Sequence, residues 1–189
     1  MTKNNNIMKK GIILSLIISF IFSSESASAK EWIYSTGTTG FQLQERTNWC
    51  WAASARNMAV AKFTSANVTK SQSQVVKQIK GSIVNEGASI KETANAITSF
   101  SKSGSATLTN SAPSLTKIKS EINKGRAVLL GLEGLLGMGH SIIVYGYDND
   151  SKDLHIFDPR DSRIICTYEE LCNGTAITGY SCTQGAYYK

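Results

Sequence analysis

The chain has 189 residues, 41% of them hydrophobic and 18% charged, with 20 lysines and arginines against 14 acidic residues and a net charge of +6. That length suits one globular domain, and the balance excludes a disordered chain, a collagen-like repeat and a multi-span membrane protein. The basic residues are scattered, with no basic stripe interleaved with aromatics, so nucleic acid is not an expected partner.

Lys9 and Lys10 precede the apolar run Gly11 to Phe22, and Ala27-Ser28-Ala29 follows. A basic start, a short apolar core and a small-residue step predict a secretory signal peptide over 1–29, cleaved after Ala29. The apolar core is shorter than the roughly 20 residues a spanning helix needs. The expectation is therefore a secreted or periplasmic protein, 30–189, with no stable membrane insertion once the leader is removed, and monomeric.

The remaining chain reads as helices first and strands second. Ser35 to Gly40 is irregular, with Trp32 as an anchor before it. Ala52, Ala55, Ala59 and Phe63 then recur at helical spacing, and small residues on that face predict a helix packed in the interior. Thr47 or Asn48 is its expected N-cap. A second helix is expected over Ser73 to Lys80, stopped by Gly81. A third opens on the capping box Ser89-Ile-Lys-Glu92 and stops at Gly104; a fourth runs from Leu115 to Gly125.

From there the pattern changes. Ala127 to Leu132 and Ser141 to Tyr147 are continuous apolar runs of the kind buried strands show, and Leu154 to Phe157 is the return strand of a hairpin turned by Asp148 to Asp153. That acidic turn lacks the glycine and glutamate of an EF-hand loop, so it is read as a turn and not a calcium site. Weaker strands fall at Arg163 to Cys166 and Gly179 to Thr183. Helices followed by strands define an α+β fold in one domain, without repeat or linker.

Four cysteines and two histidines bound the chemistry. Cys166, Cys172 and Cys182 are near one another in sequence, and in an exported chain a disulfide is expected among them. Cys50 stands alone at the first turn of the first helix, where unpaired N–H groups and the macrodipole favour a thiolate. The competing reading is a structural Cys50, bridged to a C-terminal cysteine. A cysteine nucleophile needs a base, an orienting group and oxyanion donors. His140 sits where a glycine-rich loop, Gly137-Met-Gly139, meets a strand, and is the preferred base; His155, between Leu154 and Ile156, reads as a half-exposed strand histidine. Asp158 closes the return strand of the hairpin, where it can accept the Nδ1–H of His140. Gln44, on the loop before Cys50, can aim its amide at an oxyanion; Gln42 competes at a poorer spacing. With two histidines and no C-x-x-C, neither a metal nor another cofactor is expected.

Gln44, Cys50-Trp51-Ala52-Ala53, Gly139-His140-Ser141 and Asp158-Pro159, in that order, resemble the papain-like cysteine peptidases, and most nearly the compact bacterial C39-like and C70 peptidases. The resemblance implies a papain-like fold in which the helix bearing Cys50 is buried against a C-terminal antiparallel sheet. It implies Cys50 as nucleophile, His140 as base and then acid, Asp158 as orienting carboxylate, and Gln44 with the Cys50 backbone N–H as oxyanion hole. The implied reaction is acyl transfer from a peptide or isopeptide carbonyl through a thioester to water, on a protein or peptide substrate, as in a bacterial toxin or effector. Alternatives on the same fold are a deamidase, amidase or acyltransferase, or an inactive secreted interaction protein. The chain departs from animal and plant members in carrying Thr47-Asn48-Trp49 before the cysteine, and 30–43 is too short for a long inhibitory propeptide.

Overall fold

The computed structural model of the protein describes residues 32–101 and 105–189. The signal peptide expected over 1–29 and the helix stop at Gly104 lie outside the described residues. Among the described residues no helix is long and apolar enough to cross a membrane.

The first helix, α1 (Cys50–Phe63), is followed by α2 (Gln72–Lys80), α3 (Ile90–Phe100) and α4 (Leu115–Asn123). The strands are β1 (Trp32–Tyr34), β2 (Ala106–Thr109), β3 (Val128–Gly134), β4 (Gly139–Asp148), β5 (Asp153–Asp158), β6 (Ser162–Thr167) and β7 (Tyr180–Tyr188), with a short helix α5 (Tyr168–Asn173) between the last two. Every pairing is antiparallel, in the order β2-β7-β3-β4-β5-β6, and β1 adds to β4. The fold is the expected α+β class.

The sheet is covered on both faces. Leu129, Ile143, Tyr145 and Phe157 join the cluster built on α1, α2 and α3, while Val128, Leu130, Ile142 and Val144 join Ile118 and Ile122 of α4 and Leu171 of α5. Burial on both faces is why β3 and β4 read as unbroken apolar runs. Ala52, Ala53, Ala55, Ala59 and Ala61 let α1 lie in the interior, with Trp51 to Ala61 all buried. Its hydrophobicity is therefore almost the same on every side, as a fully enclosed helix requires.

Three local expectations are corrected. The N-cap of α1 is Trp49, and no side chain caps it. Thr47 and Asn48 are occupied elsewhere: Asn48 Nδ2 donates to the Asn85 carbonyl at 2.9 Å, and Asn85 Nδ2 donates to Thr47 Oγ1 at 2.8 Å. The weak strand near Gly179 is in fact the long interior strand β7, whose mixed residues are held by pairing with β2 and β3. Finally, His155 is buried, not half-exposed, because β1 adds to the sheet and brings Trp32 and Tyr34 edge-on to its ring at 4.0 and 5.0 Å.

The α3 capping box carries an acid-sensitive contact. Glu92 accepts the Ser89 backbone N–H at 2.8 Å and pairs with Lys80 Nζ at 2.8 Å. The Lys80 hydrogen bond and then the Ser89 N–H hold the Glu92 carboxyl down from an ordinary 4.5 to about 2. A depressed carboxyl contributes stability above its unfolded pKa and loses it as pH falls through the folded one. Glu92→Gln should therefore be less stable at pH 7 by about 1 kcal/mol or less, since the pair is partly solvent-screened. Urea unfolding should show that gap shrinking between pH 4.5 and 2; a gap that persists at the lowest pH would show that the charge is not its source.

Candidate active site

A cleft of about 450 Å³ opens between the start of α1 and the ends of β3, β4 and β7. Cys50, His140, Gly131 and Gln184 line it on the α1 and sheet side, and Ala88 and Ile90 on the other. Trp49 and Trp51 set the second wall. Their indole N–H groups donate to the carbonyls of Val84 and Glu86 at 2.8 and 3.0 Å, pinning the irregular stretch before α3 beside the helix start.

Cys50 is the first residue of α1, and its sulfur lies against the backbone N–H of Ser141, the residue after His140. One helical turn on, the buried Ser54 hydroxyl donates to the carbonyl of the same Ser141 at 2.8 Å. Cys50 and Ser54 thus meet the N–H and the C=O of one residue of β4 and fix α1 against the strand that bears His140. No motif announced Ser54; the only signal is a hydroxyl four residues after the cysteine, on the same helix face.

The His140 ring and the Asp158 carboxylate are joined by a buried hydrogen bond, Nε2 to Oδ1 at 2.8 Å, with their side chains 1% and 5% exposed. The nitrogen is a correction: Nδ1 was expected to face the carboxylate. Ile143 pairs with Phe157, so Asp158 falls opposite Ile142, two positions from His140 on the same face. The far nitrogen of the ring makes the contact, and Nδ1 is left as the remaining ring nitrogen.

Burial works against the Asp158 charge. The His140 hydrogen bond and charge, then the Arg160 N–H and guanidinium, outweigh it and hold the carboxyl below its ordinary value. The Arg160 backbone N–H donates to Oδ1 at 2.8 Å. Tyr180 closes the pair off from solvent: its ring meets His140 edge-on at 5.7 Å and carries the Arg160 guanidinium 4.9 Å above its face. Gly134 permits this, since a Cβ there would come within 2.8 Å of the Tyr180 ring.

Cys50 departs from the expected thiolate. Burial pushes its thiol above the ordinary value of 9.0; the Ser141 and Trp51 N–H groups and Arg160 pull it down, Asp158 pushes it up, and burial wins. The helix terminus supplies the anion-stabilising N–H groups that the position promised, but they do not overcome desolvation. Burial therefore opposes the thiolate at this position. Cys166 and Cys182 are pushed up to about 12, with no comparable set of N–H groups or cation at either sulfur.

Gln44 is placed near the site but turned into its own loop. Its Nε2 donates to the carbonyls of Arg46 and Thr47 at 3.0 and 2.7 Å, which takes both amide hydrogens, and its Oε1 is buried without a partner among the described residues. Its backbone N–H donates to the Pro159 carbonyl at 2.8 Å, tying the loop to the turn that follows Asp158. Buried Gln72 and Asn57 hold the same loop: Gln72 Nε2 donates to Leu43 O at 2.8 Å, and Asn57 Nδ2 to Gln42 O at 2.9 Å. Gln42 thus meets α1 through its backbone while its side chain faces solvent.

All four cysteines are free thiols, so the disulfide expected among Cys166, Cys172 and Cys182 is not formed in this structure. For Cys166 and Cys182 the topology explains this: β3, β4 and β5 lie between β6 and β7, a separation of about 19 Å at ~4.8 Å per strand. Among the described residues no group of three His, Cys, Asp or Glu side chains is arranged to hold a metal ion.

A buried helix opening on a cysteine, packed against an antiparallel sheet that carries a bonded histidine and aspartate, is the architecture of the papain-like cysteine peptidases. The Peptidase C39 like family matches residues 38–181, and the chain belongs to that family. Among solved structures, the chain is similar to a double glycine motif protease from an AMS/PCAT transporter, determined in complex with the leader peptide. Identity is 14% and TM-score 0.52, over 82% of this chain and 94% of that one. It is also similar to the Pseudomonas avirulence protein AvrPphB, at 13% identity and TM-score 0.38, over 75% of this chain and 90% of that one, too distant to add to the assignment. No curated protein matches the sequence.

Proposed function

We propose that the protein is a secreted peptidase that cleaves peptide or isopeptide bonds through a thioester, with Cys50, His140 and Asp158 as its triad. The observation that carries the reading is the buried 2.8 Å bond from His140 Nε2 to Asp158, beside a cleft in which Cys50 leans on the neighbouring Ser141 N–H. Held by Asp158, the ring keeps its proton on Nε2 and presents Nδ1 as the base. Nδ1 takes the Cys50 proton as sulfur attacks the substrate carbonyl, and the C–S bond forms while the carbonyl oxygen gains the negative charge. The intermediate collapses when the same nitrogen protonates the departing amine and the C–N bond breaks. Water, deprotonated by His140, then attacks the thioester and releases the acid and the thiol.

Oxyanion stabilisation falls first to the Cys50 backbone N–H, at the head of α1. The Gln44 amide joins it only by giving up its bond to Arg46 or Thr47, so substrate binding and a turn of this side chain are coupled. Export rests on the 1–29 leader read from the sequence, and a role as toxin or effector would require that export.

The reading predicts that an epoxide or vinyl-sulfone probe labels Cys50 at neutral pH in preference to Cys166, Cys172 and Cys182, and that labelling stops peptide hydrolysis in proportion. Peptide mapping of the adduct and residual hydrolysis are the measurements. Full hydrolysis after complete Cys50 labelling would remove the sulfur from the mechanism. Release of ammonia without chain cleavage would keep the triad and make the enzyme a deamidase.

A further inference from the structure

Gly87, Ala88, Gly131, Gly137 and Gly139 line the cleft with backbone and small surfaces, beside the apolar Trp51, Ile90 and Leu132, and Glu133 is its one acidic side chain. Further bulky apolar side chains stand on the turn that borders it. The turn between β3 and β4 carries Leu135, Leu136 and Met138 at 76%, 99% and 54% exposure, in a structure whose other large apolar residues are mostly buried. The turn is built to hold them out. The Gly134 N–H donates to the Met138 carbonyl at 2.8 Å, closing the reversal, and Leu136 takes a left-handed backbone conformation, φ 65 and ψ 23, that a leucine disfavours. A strained, fully exposed leucine between two other exposed apolar residues is an arrangement that stability alone would not select.

Its place decides its occupant. Gly137 and Gly139, within and just after this turn, line the same cleft as Cys50 and His140, so the turn that carries Leu135, Leu136 and Met138 borders the cleft. No lysine or arginine lies between Gly131 and Tyr145, and the nearby Arg160 guanidinium is stacked on Tyr180, so the turn lacks the basic cluster that draws a protein to an anionic bilayer. We propose that Leu135, Leu136 and Met138 form an apolar lip that grips a bulky aliphatic or aromatic side chain of the peptide substrate, next to the scissile bond. The lip thereby extends the apolar contact offered by Trp51, Ile90 and Leu132 within the cleft. The proposal rests on the reading of this cleft as a peptide-hydrolysing site.

The test uses the full chain and paired fluorogenic peptides that differ only in carrying leucine or serine at positions flanking the cleaved bond. Wild type should favour the leucine peptides by about tenfold in kcat/KM, mainly through KM. The triple variant Leu135→Ser, Leu136→Ser, Met138→Ser should reduce that preference to about twofold or less, while iodoacetamide alkylates its Cys50 at the wild-type rate. Leu136→Gly relieves the left-handed strain and guards against a folding artefact; it should weaken the preference without lowering the melting temperature. A preference that survives these substitutions, or equal losses on both peptides, would overturn the lip. So would vesicle binding or self-association that depends on the turn. The same peptide pair, bound to Cys50→Ala and followed by fluorescence anisotropy, separates the two readings. A leucine preference in binding without any cleavage by wild type would sustain the lip and sink the peptidase.

Discussion

Cys50→Ala is expected to lower kcat/KM on a peptide substrate by roughly 10³-fold or more while leaving the protein folded. The sulfur is the one nucleophilic atom on the cleft wall that meets two backbone N–H groups, from Ser141 and Trp51. Removing it deletes the acceptor of the acyl group, and no neighbouring hydroxyl replaces it: Ser54 is buried and already bonded to the Ser141 carbonyl. The structural effect is small because α1 is packed through Trp51, Met58 and its alanines, and the variant adds one more alanine at its first turn. A change in stability within about 1 kcal/mol is expected, since a thiol is a weak hydrogen-bonding group. Thermal melting together with hydrolysis rates checks both halves. Hydrolysis retained in a folded Cys50→Ala protein would end the assignment of the nucleophile.

The helix bearing Cys50, the hairpin of β4 and β5, and the pairing of His140 with Asp158 were legible because each is written in local pattern. Alanines recur at helical spacing through α1, apolar runs bound a polar turn at Asp148, and eighteen residues of hairpin bring Asp158 back to His140. What was not legible depends on contacts distant in sequence. The helix terminus argued for a thiolate at Cys50, but the sign is set by how deeply β4 and Trp51 bury the sulfur. Thr47 and Asn48 had the right chemistry to cap α1, yet Asn85, some forty residues on, claims them. Gln44 stood at the right spacing for an oxyanion donor, while its hydrogens go to Arg46 and Thr47. The strand β7 was legible only as a weak strand at Gly179 to Thr183, because its Ser181, Thr183, Gln184 and Gly185 neither alternate nor run apolar, and pairing with β2 and β3 extends it to Tyr188. The stretch Leu135 to Met138 lies between the apolar runs that end at Leu132 and begin at Ser141, and only the reversal at Gly134 shows its side chains facing solvent.

The two histidines give the sharpest contrast, because both are buried and only one touches a carboxylate at the cleft. His140→Ala should reduce hydrolysis about as severely as loss of Cys50, whereas His155→Ala should leave hydrolysis per folded molecule nearly unchanged. His155 packs against Trp32, Tyr34 and Tyr145, so its loss falls on stability, as truncation of a buried ring does. His140→Ala also strips Asp158 of its main partner and leaves a buried carboxylate to Arg160, which lowers stability by about 1–3 kcal/mol. His140→Gln is the companion variant: its amide can still donate to Asp158, so the fold is supported while no proton acceptor faces the thiol. The pH dependence separates a missing base from a damaged fold. Without the imidazole, burial and the Asp158 charge hold the Cys50 thiol above its ordinary value, so the thiolate is disfavoured at neutral pH. Alkylation of Cys50 in His140→Gln should therefore be slow at neutral pH and climb steadily into the alkaline range, while wild type reacts near neutrality because the ring takes the proton. Equal alkylation rates in the two proteins at pH 7 would mean that His140 does not activate the sulfur, and a collapse of activity in His155→Ala with His140→Ala spared would transfer the base to the other ring.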